Sequence, residues 1–418
     1  MNADDRSRGP EAHDPDPGSP EFQTVLKVSA DLDRGEFSML KFNMRRAALA
    51  VSFTLTALTS PAYAVSFNTI NLVSDDQSAH PAQITDAGLI NAWGVSSAAP
   101  LGGPFWVSSN GAGTSTLYSV DPVTQVTHKV PLTVNIPGVG TPSNPTGQVF
   151  NDGFGSGAFG GDLFLFVNED GTISGWQQAD GTNAHVVGLP SALYKGAAFG
   201  TIGNDSYLYG ANFRAGTVDA LRGKVSSPSL SGNFLDPTLP SHYAPFNVQN
   251  LNGTLYVAYA EQDLASPDEV AGAGLGLVDA FDLQGNFLHR VATGGALNAP
   301  WGLAIAPSSF GVMAGTLLVG NFGDGHINAF DATTNAFLGQ ILGADGNPLA
   351  IDGLWAITPG NGGQSGGSSN LLYFTAGPDG ESHGLFGVLA PVPLPPSVLL
   401  LGSSVLLMMT RRRARRHG

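Results

Sequence analysis

The chain has 418 residues, of which only 12% are charged and 56 are glycine, and it contains no cysteine. The missing cysteine excludes a disulfide scaffold, a thiolate metal site and a cysteine nucleophile. Hydrophobic residues make up 42%, too many for a wholly disordered chain. The net charge of −15 argues against nucleic acid as a partner, because phosphate binding needs a basic surface.

The N-terminal part of the chain has the pattern of a leader. Residues 1–43 are acidic and lack periodicity, which indicates disorder or a misassigned gene start. Residues 44–64 combine a basic start, an apolar run and a small-x-small ending at Ala62 and Ala64, which is typical of a secretory signal peptide. We therefore expect export and cleavage after Ala64 by signal peptidase. The alternative is an ordinary core helix that begins at Arg45.

Residues 391–418 contain a second processing pattern, made of a proline motif, an apolar stretch and an arginine cluster. The motif and the cluster include Val392, Pro393, Pro395, Arg411, Arg412 and Arg413. The apolar stretch, residues 397–410, is short against the roughly 20 residues of a membrane helix. The arginines that follow it predict a cytoplasmic C-terminal end.

This tail resembles the PEP-CTERM sorting signal of Gram-negative bacteria, with Leu394 at the position where glutamate is usual. The resemblance implies transient anchoring in the inner membrane by a transmembrane helix, recognition by exosortase and removal of the tail. It also implies delivery to the cell surface or the extracellular matrix. The alternative is a plain C-terminal membrane anchor.

Residues 65–390 repeat one pattern six times. Each copy has an apolar β-rich run, a turn rich in Asn, Asp and Gly, and a second short β-rich run, which predicts a hairpin. The copies are 105–121, 163–177, 207–221, 255–282, 317–331 and 371–389. They recur roughly every 50 residues, the period of a propeller blade.

A second repeated element precedes most copies and places a turn residue and a glycine at the start of an apolar strand. It occurs at 91–95, 145–149, 300–305 and 352–357. We interpret it as the innermost strand of a blade. The element resembles the NHL class of propeller repeats, and residues 86–94 resemble an uncharacterised family of PEP-CTERM-associated proteins.

The predicted fold is therefore all-β, a six-bladed β-propeller over residues 65–390, with a pair of two-sheet sandwiches as the competing architecture. Helices should be scarce, because no stretch of this body sustains a helical period. We expect ring closure by a strand at 67–73, which would complete the sheet that ends near Leu389.

Propellers bind ligands at the mouth of the central channel, where the inner strands begin. The residues predicted there are Asn91, Trp93, Asn247, Asn298, Trp301, Asp352 and Trp355. The tryptophans could stack on sugars, or they could pack between blades. Asparagine and aspartate oxygens could hold calcium, although Asp352 is the one acid in this set, or they could cap strand ends.

These patterns predict an exported propeller that binds envelope protein or exopolysaccharide and needs no cofactor. The residues contain no recognisable catalytic cluster, which favours a binding module over an enzyme. The alternative is a hydrolase or lactonase-like enzyme with a metal, calcium being the candidate, at the central channel. Fold alone does not separate the two, because propellers serve both purposes.

Overall fold

The computed structural model describes residues 65–139 and 142–392. The predicted leader (1–64) lies outside these ranges, and so does the tail beyond Val392, including Pro393, Pro395, Arg411, Arg412 and Arg413. In the described ranges no helix is long and apolar enough to cross a membrane. The helical segments are α1 (Pro378–Glu381) and the 3-10 turns Ala99–Leu101, Phe154–Ser156, Ala158–Gly161, Gln178–Asp180 and Ser308–Met313. The expected scarcity of helices is confirmed for this part of the chain.

The strands form six sheets, each a blade of one ring. Blades 1 and 2 contain β3 (Ala92–Ser97), β4 (Phe105–Ser109), β5 (Thr114–Val120), β6 (Thr127–Asn135), β7 (Pro145–Phe150), β8 (Phe164–Asn168), β9 (Ile173–Trp176) and β10 (His185–Gly188). Blades 3 and 4 contain β11 (Tyr194–Ile202), β12 (Asp205–Asn212), β13 (Thr217–Arg222), β14 (Tyr243–Leu251), β15 (Thr254–Gln262), β16 (Glu269–Val270), β17 (Leu277–Asp282) and β18 (Phe287–Thr293).

Blades 5 and 6 complete the ring. They contain β19 (Pro300–Ile305), β20 (Leu317–Asn321), β21 (Ile327–Phe330), β22 (Phe337–Gln340), β24 (Leu354–Pro359), β25 (Leu372–Ala376), β26 (Leu385–Pro391) and β1 (Ser66–Ser74), with β2 (Ile84–Thr85) and β23 (Leu342–Gly343) paired to β1. The six-bladed β-propeller is confirmed, and the alternative pair of sandwiches does not form.

The ring closes as predicted, through a strand from the start of the body. Strand β1 pairs antiparallel with β26, with Ile70 opposite Val388, and so becomes the outer strand of blade 6. The backbone N–H of Val392 donates to the carbonyl of Ser66 at the end of this ladder. Because the two ends of the body share one sheet, closure needs no covalent link.

The predicted innermost strands are confirmed as β3, β7, β19 and β24, and each packs against the first strand of the next blade. Their glycines permit this approach. A β-carbon at Gly94 would lie 2.3 Å from the Thr146 carbonyl oxygen, and one at Gly147 would lie 2.4 Å from the Ala197 nitrogen. The recurring glycine of the repeat therefore follows from the narrowness of the ring.

Blade 3 departs from the four-strand pattern, because it has three strands and a long connection between β13 and β14. Asp236 of this connection forms an ion pair with Arg290 of β18 in blade 4, and Arg290 also pairs with Asp279 of β17. Both aspartate side chains are fully buried. The connection is thus fastened to the neighbouring blade by charge.

Candidate functional site

Aromatic side chains close the central channel near one rim. The rings of Trp93 and Trp355 stack with centroids 3.7 Å apart, and Phe322 stacks on Trp355 at 4.0 Å. Trp301 meets Trp355 edge-on at 5.9 Å. Below this plug the channel holds a void of about 10 Å³ beside Asn247, which is space for about one water. The channel below the plug therefore has no room for a ligand larger than water.

The indole N–H groups of the plug face protein. Trp355 Nε1 donates to Asn91 Oδ1 at 2.8 Å, and Trp301 Nε1 donates to the carbonyl of Lys195 at 2.9 Å. Trp93 Nε1 is buried without a hydrogen-bond partner. All three indoles are at least 96% buried, so in this conformation they pack between blades and present no face for stacking on a sugar.

A repeated backbone hydrogen bond sets the rim of the mouth. In several blades the N–H just after the second strand donates to the carbonyl just before the first strand. The pairs are Asn110 to Asn91, Glu169 to Asn144, Phe213 to Leu193 and Phe322 to Ala299. Residues that immediately follow the second strands are thereby held beside the starts of the inner strands, and Glu169 is one of them.

Above the plug, one lysine lies among carboxylates from different blades. Lys195 is 2% exposed, and its Nζ lies 2.8 Å from Glu169 Oε1, 3.5 Å from Asp268 Oδ1 and 3.8 Å from Glu269 Oε2. The ammonium also lies 5.3 Å from the centre of the Trp93 ring, a cation–π contact. We call this group, together with Glu381, the mouth cluster.

Two asparagines connect the mouth cluster to the strand starts. Asn91 Nδ2 donates to Glu381 Oε2 at 2.6 Å, and Asn110 Nδ2 donates to Glu169 Oε2 at 3.3 Å. Asn91 and Glu381 have φ angles of +50° and +67°, and Asp379 beside Glu381 has +55°. Such left-handed conformations cost energy in residues other than glycine and concentrate at functional sites.

Burial sets the protonation of the mouth cluster. It raises the pKa of Glu269 to about 7, opposed by the nearby charge of Lys195. Burial also raises the pKa of Glu381, against the hydrogen bond from Asn91. For Lys195, burial would lower the pKa, but Glu169 and Glu269 outweigh it and raise the pKa. Lys195 therefore stays a cation, while Glu269 can exchange a proton near neutral pH.

A cleft adjoins the mouth cluster between blades 3 and 4. Its volume is about 480 Å³, within the range of small-molecule sites. The lining includes Leu193, Phe213 and Leu264 as apolar groups and Arg214 as a cation. The lining segment 262–267 leads directly into Asp268, so the cleft and the cluster are adjacent along the chain.

The structure gathers some of the predicted site residues and separates others. Asn91, Trp93, Trp301 and Trp355 lie together next to the mouth cluster. The other three predicted residues have different partners. Asn247 Nδ2 donates to the Trp301 carbonyl inside the channel wall, Asn298 Oδ1 accepts from the Gly272 N–H, and Asp352 Oδ2 accepts from the Asp379 N–H.

Sequence reasoning missed the charged members of the cluster, namely Glu169, Lys195, Asp268, Glu269 and Glu381. The rarity of glutamate and basic residues in this part of the sequence could have pointed to them. Residues 65–390 contain four glutamates and six basic side chains, and three of those glutamates meet at one of those cations. The carboxylates supply hard-cation ligands that Asp352 alone did not, but the Lys195 ammonium already lies among them.

Two proteins of Acanthamoeba polyphaga mimivirus are similar to most of this chain. Uncharacterized protein R648 is 32% identical over 327 residues, which make up 75% of this chain and 76% of R648. Uncharacterized protein L690 is 31% identical over 325 residues, 73% of this chain and 81% of L690. No protein-family model matches the chain.

Solved structures with some likeness include sugar-oxidising enzymes. A PQQ-bound aldose sugar dehydrogenase from Streptomyces coelicolor has 16% identity and a TM-score of 0.45, covering 78% of this chain and 98% of its own. A glucose dehydrogenase has 12% identity and a TM-score of 0.43, covering 74% and 98%. At these scores the likeness carries no argument about site or activity.

Proposed function

We propose that the channel mouth of this chain, which belongs to one family with the mimivirus proteins R648 and L690, binds an extracellular polysaccharide. Such a ligand is rich in hydroxyl groups. The protein acts as a binding module and needs no cofactor for this role. The mouth cluster recognises the hydroxyl groups, and the adjoining cleft takes the apolar faces of the sugar rings.

One observation carries the proposal. Glu269 is 7% exposed, and its Oε2 atom is buried without a hydrogen-bond partner at the mouth. A buried carboxylate oxygen is costly unless a donor reaches it. Sugar hydroxyls are such donors and can bridge this oxygen to the neighbouring carboxylates of Glu169 and Glu381.

The test measures binding of the purified chain to neutral polysaccharides and their oligosaccharides by calorimetry. Hydrogen bonds to charged groups contribute about 1.5–3 kcal/mol, so Glu269→Gln should weaken binding by at least about tenfold. Glu261→Gln is the matched control: Glu269 is paired with Gln262 across β15 and β16, so Glu261 points to the other face of that ladder. Binding that is absent, or equal in both variants, contradicts the proposal.

A second candidate is a hydrolase that works at the same mouth. It is favoured by the Glu269 pKa of about 7, which suits a general acid or base at neutral pH. In its metal-dependent form, the carboxylates around Lys195 would hold calcium in place of the ammonium. Hydrolysis of lactones or glycosides that is lost in Glu269→Gln, with a calcium-dependent rise in thermal stability, would favour this candidate over simple binding.

We also propose that the propeller lies outside a Gram-negative cell and that signal peptidase and exosortase process it. Support comes from the sequence patterns at 44–64 and 391–418. The mature surface form should begin at Val65 and lack Arg411, Arg412 and Arg413. Intact mass spectrometry of the surface fraction checks this, and a retained arginine cluster contradicts sorting by exosortase.

A further inference from the structure

On the outer rim of blade 2, away from the channel, one histidine and two aspartates converge. His185 of β10 has Nε2 3.4 Å from Asp162 Oδ2 and Nδ1 3.1 Å from Asp180 Oδ2. One ligand atom from each residue lies within 4.8 Å of the other two. Asp162 precedes β8, and Asp180 ends the 3-10 turn Gln178–Asp180, so three separate segments meet at this point.

Asp162 is the unusual member of the group. Its side chain is 1% exposed, yet neither carboxylate oxygen has a hydrogen-bond partner. The carboxylate lies directly on the backbone of Gly175 in β9, where a β-carbon would come within 1.9 Å of Oδ2. An ionised carboxylate held in this way is strongly unfavourable without a compensating cation.

We propose that Asp162, Asp180 and His185 bind a divalent transition-metal ion of the zinc type, independently of the channel mouth. One imidazole nitrogen and two carboxylate oxygens are a donor set that zinc accepts, whereas calcium takes six to eight oxygens. Ligands about 2.0–2.1 Å from a tetrahedral zinc stand about 3.4 Å apart. The separation of His185 Nε2 and Asp162 Oδ2 already matches this value, whereas Asp180 contacts Nδ1 of the same ring and must turn its carboxylate toward an ion bound at Nε2.

The site is open on one side and links an edge strand to the buried end of its blade. The His185 side chain is 44% exposed, which leaves room for water as a further ligand. Strand β10 is the outermost strand of its blade, and Val186 and Val187 are exposed on it. The metal therefore fastens this edge strand and the preceding turn to the buried end of the blade.

A metal-free arrangement is the competing explanation, in which a protonated His185 pairs with both aspartates. Zinc binding distinguishes the proposed metal site from this ion-paired arrangement. The full-length chain, purified without a polyhistidine tag and treated with a chelator, is titrated with zinc sulfate. Bound zinc after gel filtration and the midpoint of thermal unfolding are then measured, with calcium chloride in parallel.

The variants locate the ion. His185→Gln and Asp162→Asn should each lower zinc affinity by at least about tenfold and abolish the zinc-dependent rise in the unfolding midpoint. Without zinc, Asp162→Asn should unfold at a temperature equal to or above wild type, because it removes a buried charge whose oxygens accept no hydrogen bond. That result also shows that the variant folds.

Two control variants complete the experiment. His128→Gln changes an exposed histidine on β6, the outer strand of blade 1, and should bind zinc as wild type does. His383→Gln tests a second possible zinc site, at His80 and His383, whose rings lie 5.8 Å apart. One zinc per chain, lost only with His185 or Asp162, supports the site. No bound zinc, zinc retained by both site variants, zinc lost with His383, or an equal calcium effect overturns it.

Discussion

Replacing Glu269 by glutamine should stabilise the protein in a pH-dependent way. In the folded chain the pKa of this carboxyl is raised from 4.5 to about 7, mainly by burial and against the attraction of Lys195. The folded state therefore holds a proton that the unfolded chain releases, so stability falls as the pH rises from about 4.5 to about 7. At about 1.36 kcal/mol per pKa unit, the ionised side chain costs the fold about 3 kcal/mol above neutral pH. Glutamine has no charge and escapes this cost.

Urea unfolding of wild type and Glu269→Gln at pH 4.5 and pH 8, followed by tryptophan fluorescence, measures the effect. The variant should gain about 3 kcal/mol over wild type on going from the lower to the higher pH. Glu261→Gln, measured in parallel, corrects for the loss of one negative charge from an acidic chain. A variant less stable than wild type at pH 8, or a stability difference that is the same at both pH values, would refute the conclusion that the ionised form of Glu269 destabilises the fold.

Two further predictions concern what holds the ring together. Arg290→Met should destabilise the fold by about 3–5 kcal/mol, because it leaves Asp236 and Asp279 buried without a cation. Denaturant unfolding measures this loss. A loss below about 1 kcal/mol would mean that the two ion pairs contribute little to stability. Trp355→Ala should cost about 3–5 kcal/mol, since its ring is fully buried between Trp93 and Phe322. A Trp355→Ala protein of wild-type stability would contradict the aromatic plug.

By itself the sequence leaves two roles open for Trp355. Tryptophans that recur beside glycine at one position of the repeat are compatible with sugar stacking and with packing between blades. In the structure their rings touch one another and their surfaces are buried. The recurrence therefore reflects the convergence of inner strands on one axis, where large rings from different blades fill the same space.

The sequence by itself determined the architecture, because blades are local units. Alternating apolar runs, Asn-Gly and Asp-Gly turns, and the spacing of six copies depend on residues close together in the chain. Even the closure by β1 was accessible, since an unpaired apolar strand before the first blade needs a partner. The three-stranded blade 3 was not, because its missing strand is replaced by a connection held by Arg290 of another blade.

The tertiary structure alone decided the site. Glu169, Lys195, Glu269 and Glu381 belong to four different blades or connections, and no local pattern relates them. They meet because the second strand of each blade ends at the same rim of the ring. Ring closure places the residues that follow these strands beside the starts of the inner strands. Asp162 and His185 meet by a different route, within blade 2, where the bare backbone of Gly175 between them leaves room for a buried carboxylate. The proximity of the mouth-cluster residues is a property of the closed ring, and it appears only when the chain is folded.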